Sequence, residues 1–183
     1  AMLFSSAIFL LLALPLVVLV YHLLPHVVRN AWLLVASLVF YAWGEPRLLW
    51  VMLASMAGNY LAGLAMGRLR ATRWAKPWLV ATVALNLAAL GWFKYAGWLS
   101  AATAGALGLD WRLAEIALPL GISFYTFHAL SYVVDVYRGD AQVQRDPTKI
   151  ALYLTLYPQL IAGPILRYHH MQAQLGRRPV ALG

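Results

Sequence analysis

From Leu3 to Leu24 the chain carries no Asp, Glu, Lys or Arg. At ~1.5 Å per residue, a helix of that length crosses a hydrocarbon layer of ~30 Å. Further apolar runs follow at close spacing. Asn30–Trp43 is closed by Gly44-Glu45-Pro46-Arg47, and Leu48–Gly67 has Asn59 as its strongly polar residue. Trp78–Trp98 contains Asn86 and, near its end, Lys94. Ile116–Tyr137 is interrupted by Pro119 and Gly121, and Lys149–Leu166 by Pro158 and Gly163-Pro164. Ser100–Ala114, rich in Ala and Gly, is too short and mixed to read as a span. A water-soluble globule needs a charged shell of ~25% of its residues, and this chain has 11%. The sequence therefore predicts an all-α, polytopic integral membrane protein with about five or six membrane segments, some broken or re-entrant. The first run lacks the basic start and small-residue cleavage site of a signal peptide, so it reads as a retained span.

The formal net charge is +8, and the cations lie in short turns between the apolar runs. The clearest is Arg68–Pro77 (RLRATRWAKP), with four cations and no acid. Cations gather in cytoplasmic loops, which places this turn inside and the N-terminus outside if the first three runs span. The polar turn Arg138–Thr148 then falls inside as well. A full crossing by Lys149–Leu166 would carry Arg167, Arg177 and Arg178 outside. A re-entrant segment removes that conflict, since broken backbone is tolerated at membrane depth when buried in protein or lining a cavity. The basic tail from Arg167 onward is expected to lie at the interface as a short amphipathic helix. Cations dispersed in this way make no nucleic-acid face. With no cysteine, disulfides, thiolate ligands and a cysteine nucleophile are excluded. The histidines form no metal set, because Pro25 interrupts the His22/His26 pair.

Ionisable residues inside a membrane are costly unless paired, so each is a candidate for function. Lys94, in GWFKYAGW, reads either as an interfacial anchor that snorkels outward or as a cation facing a polar cavity. His128 has Ser131 at i+3 and Tyr125 and Tyr132 at i−3 and i+4. It reads either as a core histidine satisfied by a neighbouring hydroxyl or carbonyl, or as a cavity-lining residue. Asp135 and Arg138, three apart near a helix end, form an easy local ion pair. His169 and His170 sit where solvated interfacial histidines are ordinary. No Ser-His-Asp set, phosphate-binding glycine loop or zinc-protease motif emerges. The residues leave enzyme and transporter equally open.

Five stretches occur in a telling order: MLFSSAIFLLLALPLVVLVYHLLP, RNAWLLVASLVFYAWGEPRLL, LGWFKYAGW, LPLGISFYTFHALSYVVDVYRGD and YPQLIAGPILRY. Together they resemble the amino-terminal half of the membrane-bound O-acyltransferases, over roughly Met2 to Gln174. On that resemblance, residues 1–183 form the amino-terminal part of one membrane-embedded O-acyltransferase domain, expected to be a fragment of a longer enzyme. The resemblance implies acetyl transfer from a cytoplasmic donor, acetyl-CoA or an acyl carrier, towards an exported polysaccharide such as alginate. No permanently bound cofactor or metal is implied. The expected setting is the bacterial inner membrane, and the expected partners are periplasmic polysaccharide-acetylation proteins. The family keeps its catalytic histidine in the carboxy-terminal half, so that role is not transferred to His128, His169 or His170. Positions matching the family are Lys94, Tyr95, Pro119, Gly121, Ser123, Phe124, Asp135, Tyr137, Arg138, Gly163, Pro164 and Arg167. The candidates for lining a substrate tunnel are Lys94, Tyr95, Ser123, His128, Asp135, Arg138, Pro164 and Arg167. A non-catalytic membrane scaffold and a small transporter are the competing readings.

Overall fold

The computed structural model of the chain describes residues 9–107, 117–156 and 166–175, and every regular element among them is a helix. A π-helical turn, Phe9–Ala13, leads into α1 (Leu14–Leu23). Pro25, extended at ψ 149°, turns the chain into α2 (His26–Gly44). Arg29 donates from Nε to the Leu24 carbonyl at 2.9 Å, and the Trp32 indole donates to the Val17 carbonyl at 3.1 Å. These bonds close α1 and α2 into an antiparallel hairpin. Thus α2 starts four residues before the expected Asn30, because Arg29 caps the turn instead of ending an element.

A second hairpin follows, from α3 (Leu49–Leu69) and α4 (Ala75–Leu107). The expected ten-residue basic loop is in fact a tight turn. Thr72 Oγ1 donates to the Leu69 carbonyl and accepts the Trp74 amide, and Lys76 and Pro77 already lie in the first turn of α4, where proline costs no hydrogen bond. Midway along the hairpin, Asn59 and Asn86 exchange amide hydrogen bonds at 3.0 and 2.9 Å, and each also donates to a carbonyl one turn back, Ser55 or Thr82. Both amides are thereby satisfied inside an apolar pair of helices, where polar side chains hold neighbours together. The separately read Trp78–Trp98 and Ser100–Ala114 segments merge, since α4 continues without a break to Leu107.

Among the described residues, α2, α3 and residues 75–106 of α4 are long and apolar enough to cross a membrane. That is three spans, and the expected five or six are not reached by the described residues. Helix α5 (Ile122–Arg138) follows Gly121, which sits in the left-handed region at φ 69°. It packs across α3 and α4. The Tyr132 ring fills the space a side chain on Gly63 would need. Asp146 caps α6 (Pro147–Thr155) by accepting the Thr148 amide at 2.9 Å, with Pro147 at the first helical position. Helix α6 packs on α2. Helix α7 (Tyr168–Leu175) docks on α5 and α6.

The segment expected to be broken, Lys149–Leu166, is not one helix. It stops at Thr155, and Leu156 leaves helical geometry at ψ 110°. At Leu166 the chain is again beside α6, because the Tyr153 hydroxyl donates to the Leu166 carbonyl at 2.7 Å. Pro158 and Gly163-Pro164 lie outside the described residues. The tail helix α7 buries Tyr168 and Met171 against the bundle, so it is docked on protein, not only laid on an interface.

Candidate polar site

Helix α5 carries His128, Ser131, Tyr132 and Asp135 at i, i+3, i+4 and i+7, one face of a 3.6-residue helix. That face points inward. His128, Tyr132 and Asp135 are buried, and α6 and α7 cover them. The Asp135 carboxylate is the hub. One oxygen accepts the His169 backbone amide at 3.1 Å, lies 3.2 Å from His169 Nδ1, and accepts the Ser131 hydroxyl at 3.5 Å. Ser131 in turn accepts the Tyr168 amide at 3.1 Å. The amides of Tyr168 and His169 open α7 and have no partner within it, so α5 supplies the cap that a helix start requires.

This corrects the expected Asp135–Arg138 pair. The carboxylate turns inward to His169, thirty-four residues away, while Arg138 is exposed at the helix end. A carboxylate 4% exposed is stabilised by one backbone amide, a serine hydroxyl and an imidazole within reach, and the exposed Arg138 side chain would have to be desolvated to compete. Because a carboxylate only accepts, His169 Nδ1 is the donor in this contact.

Four aromatic rings join the three helices in an edge-to-face series. His128 meets Tyr153 with ring centres 5.1 Å apart, Tyr153 meets Tyr168 at 5.1 Å, and Tyr168 meets Tyr132 at 4.7 Å. Gln144 donates its backbone amide to the Tyr132 oxygen and its side-chain amide to the Tyr168 oxygen. Burial raises the Tyr168 hydroxyl above the ordinary phenol range, with the Gln144 contact opposing it. The phenol therefore stays neutral across the physiological range.

His128 departs from the expectation of a satisfied core histidine. It is 1% exposed, and neither ring nitrogen has a hydrogen-bond partner. The Tyr41 and Tyr125 hydroxyls are buried in the same condition.

The other candidates are scattered. Lys94 lies exposed on α4 with its ammonium 5.5 Å from the centre of the Tyr95 ring, and Tyr95 is also exposed. Ser123 is half-buried in the first turn of α5, and Arg167 is exposed just before α7. Pro164 lies outside the described residues. The structure thus brings His128 and Asp135 onto one buried face and leaves Lys94, Tyr95, Arg138 and Arg167 on the outside. It adds Ser131, Tyr153, Tyr168 and His169. The stripe at 128, 131, 132 and 135 was readable in the sequence, whereas the partners from α6 and α7 were not.

In a nucleophilic triad the imidazole stands between the hydroxyl and the carboxylate. Here serine and imidazole both bond to the carboxylate, so no proton path runs from Ser131 through His169. The arrangement fastens α7 to α5 and holds one imidazole in a defined orientation.

The comparisons with known proteins agree with the sequence resemblance. The chain is 41% identical over 182 residues to a protein of Azotobacter vinelandii named "Probable alginate O-acetylase AlgI", covering 97% of this chain and 36% of that protein. A Pseudomonas aeruginosa protein of the same name is 40% identical, covering 97% of this chain and 35% of its own length. A Helicobacter pylori protein named "Peptidoglycan O-acetyltransferase" is 28% identical over all of this chain and 42% of its own length. The chain spans about a third of the length of the alginate O-acetylases it matches. No family model matches the chain, and no solved structure matches it significantly.

Proposed function

We propose that this chain, which is homologous to bacterial alginate O-acetylases over nearly its whole length, is the helical part of a membrane O-acyltransferase that moves acetyl groups towards a polysaccharide. The observation that carries the reading is the identity of about 40% across 97% of the chain to proteins so named. It fits a chain with three membrane-length apolar helices. The proposed donor is acetyl-CoA or an acyl carrier on the cytoplasmic side, the proposed acceptor an exported polysaccharide, and the proposed setting the bacterial inner membrane with periplasmic acetylation proteins as partners. Within this reading, the face of α5 built on His128 and Asp135 has a positioning role. It fixes α7 and the returning end of the Lys149–Leu166 segment against the membrane helices. The eight candidates for a substrate tunnel remain a proposal, with His128 the one whose unpartnered nitrogens sit deepest.

The test is complementation in an alginate producer lacking its own O-acetylase. The full-length protein containing this region should restore acetyl esters on the exported polymer, measured by ester release or by proton NMR. The 183-residue chain on its own should restore none. A full-length protein that inserts in the membrane yet leaves both alginate and peptidoglycan unacetylated would overturn the assignment.

A further inference from the structure

The turn at the end of α3 and the turn at the end of α5 are far apart in sequence but share one end of the bundle. The Arg70 guanidinium lies where a side chain on Gly139 would be, and Val143 fills the space beside Gly67. Past the second turn the chain runs back along α3, where the Tyr60 hydroxyl donates to the Arg145 carbonyl at 2.7 Å. Helix α7 closes the same end, with the Gln172 side chain accepting the Gln142 amide at 3.3 Å. This convergence collects Arg68, Arg70, Arg73, Lys76, Arg138 and Arg145, all exposed. None of the six makes an ion pair among the described residues.

The acids nearby do not neutralise them. Asp135 is buried against His169, and Asp146 is held at the start of α6 by the Thr148 amide. Asp140 is the one exposed carboxylate in the second turn. Loop cations that only set orientation need no fixed mutual geometry, because the rule counts charges near the span ends. Here Gly67 and Gly139 let the two turns interlock, so the Arg70 guanidinium is seated against Gly139 and the backbones that carry the other cations are packed together. Arginines gathered in this way suit multidentate binding of phosphate oxygens.

We propose that this end of the bundle is a binding surface for phosphate-bearing anions, engaging phosphate esters through Arg70, Arg73 and Arg145. Two sources carry that chemistry at a membrane surface: the headgroup of an anionic lipid and a soluble phosphorylated molecule. The inference is independent of acetyl transfer, since it rests on the packing of the two turns alone.

The test uses the full-length protein in nanodiscs of phosphatidylcholine, with or without phosphatidylglycerol, and inorganic pyrophosphate as the soluble probe. Native mass spectrometry reads retained phosphatidylglycerol, and a binding titration reads pyrophosphate. Arg70→Gln/Arg73→Gln/Arg145→Gln should weaken anion binding by roughly ten-fold and flatten its salt dependence. Arg47→Gln, at the opposite end of α3, should stay within about two-fold, as expected for a charge several screening lengths away. If the triple variant fails to fold, Arg73→Gln/Arg145→Gln leaves the Arg70–Gly139 packing intact and should still lose about three-fold. Pyrophosphate that displaces phosphatidylglycerol assigns the surface to soluble phosphates, and phosphatidylglycerol that resists displacement assigns it to headgroups. Equal losses in the Arg47→Gln and triple variants, or no binding of either probe by the parent protein, would overturn the proposal.

Discussion

The α1–α4 half and the α5–α7 half solve opposite problems. In the first, large apolar side chains face outward: Val27 is 91% exposed, Trp50 72% and Leu85 71%. In the second, α5 turns nine of its seventeen residues inward, among them Thr126, His128 and Asp135. Lipid is as apolar as leucine, so the outward side chains of α1–α4 gain little from burial against protein. Polar groups are costly to leave unpaired in hydrocarbon, so Ser131 and Asp135 of α5 are paired with α7, while His128 packs edge-to-face on Tyr153 of α6. The first half is joined by the Arg29 and Trp32 bonds between α1 and α2 and by the amide pair between α3 and α4, the second by a carboxylate hub and edge-to-face rings.

The sharpest way to break this contrast is to place a side chain where α3 receives α5. Gly63→Leu meets the Tyr132 ring, whereas Gly91→Leu on α4 meets open space. Gly63→Leu should cost about 3 kcal/mol or more, the upper range for overpacking, while Gly91→Leu should be close to neutral. Thermal unfolding of the full-length protein in detergent would compare them, and equal melting points would refute the packing described for α3 and α5.

The carboxylate hub comes next. Asp135→Asn should destabilise by roughly 2 kcal/mol, the scale of a charge-assisted hydrogen bond lost in a buried site. The effect should appear as faster amide exchange in residues 168–175. A double-mutant cycle with His169→Ala should show coupling, and one with Arg138→Ala should show none. Coupling to Arg138 instead would restore the local pair that the sequence suggested.

The smallest effect belongs to the amide pair. Asn59→Leu alone strands the Asn86 amide and should cost about 1–2 kcal/mol, whereas Asn59→Leu/Asn86→Leu should recover most of that loss. A double variant weaker than either single one would mean that the pair does more than satisfy itself.

What the sequence reveals divides along the same line. The runs that became α2 and α3 were legible to within a few residues, because hydropathy alone sets them. The extent of α4 was not, since Ser100–Leu107 keeps helical geometry with small residues too mixed in polarity to read as a span. The partner of Asp135 was also hidden. An i, i+3 neighbour is visible in a sequence, whereas a residue on a separate helix becomes a neighbour only through packing. The same applies to Arg70, whose seat on Gly139 depends on the crossing of α3 and α5.

Helix α4 has thirty-three residues, about 50 Å of rod at ~1.5 Å per residue. Trp78 and Trp98 lie about 30 Å apart along it, the thickness of a hydrocarbon core, and indole rings favour the two membrane boundaries. The Trp78 indole also donates to the Ala62 carbonyl at 3.1 Å, which ties that end of α4 to α3, and the turns after Trp98 lengthen the rod beyond what a ~30 Å layer requires.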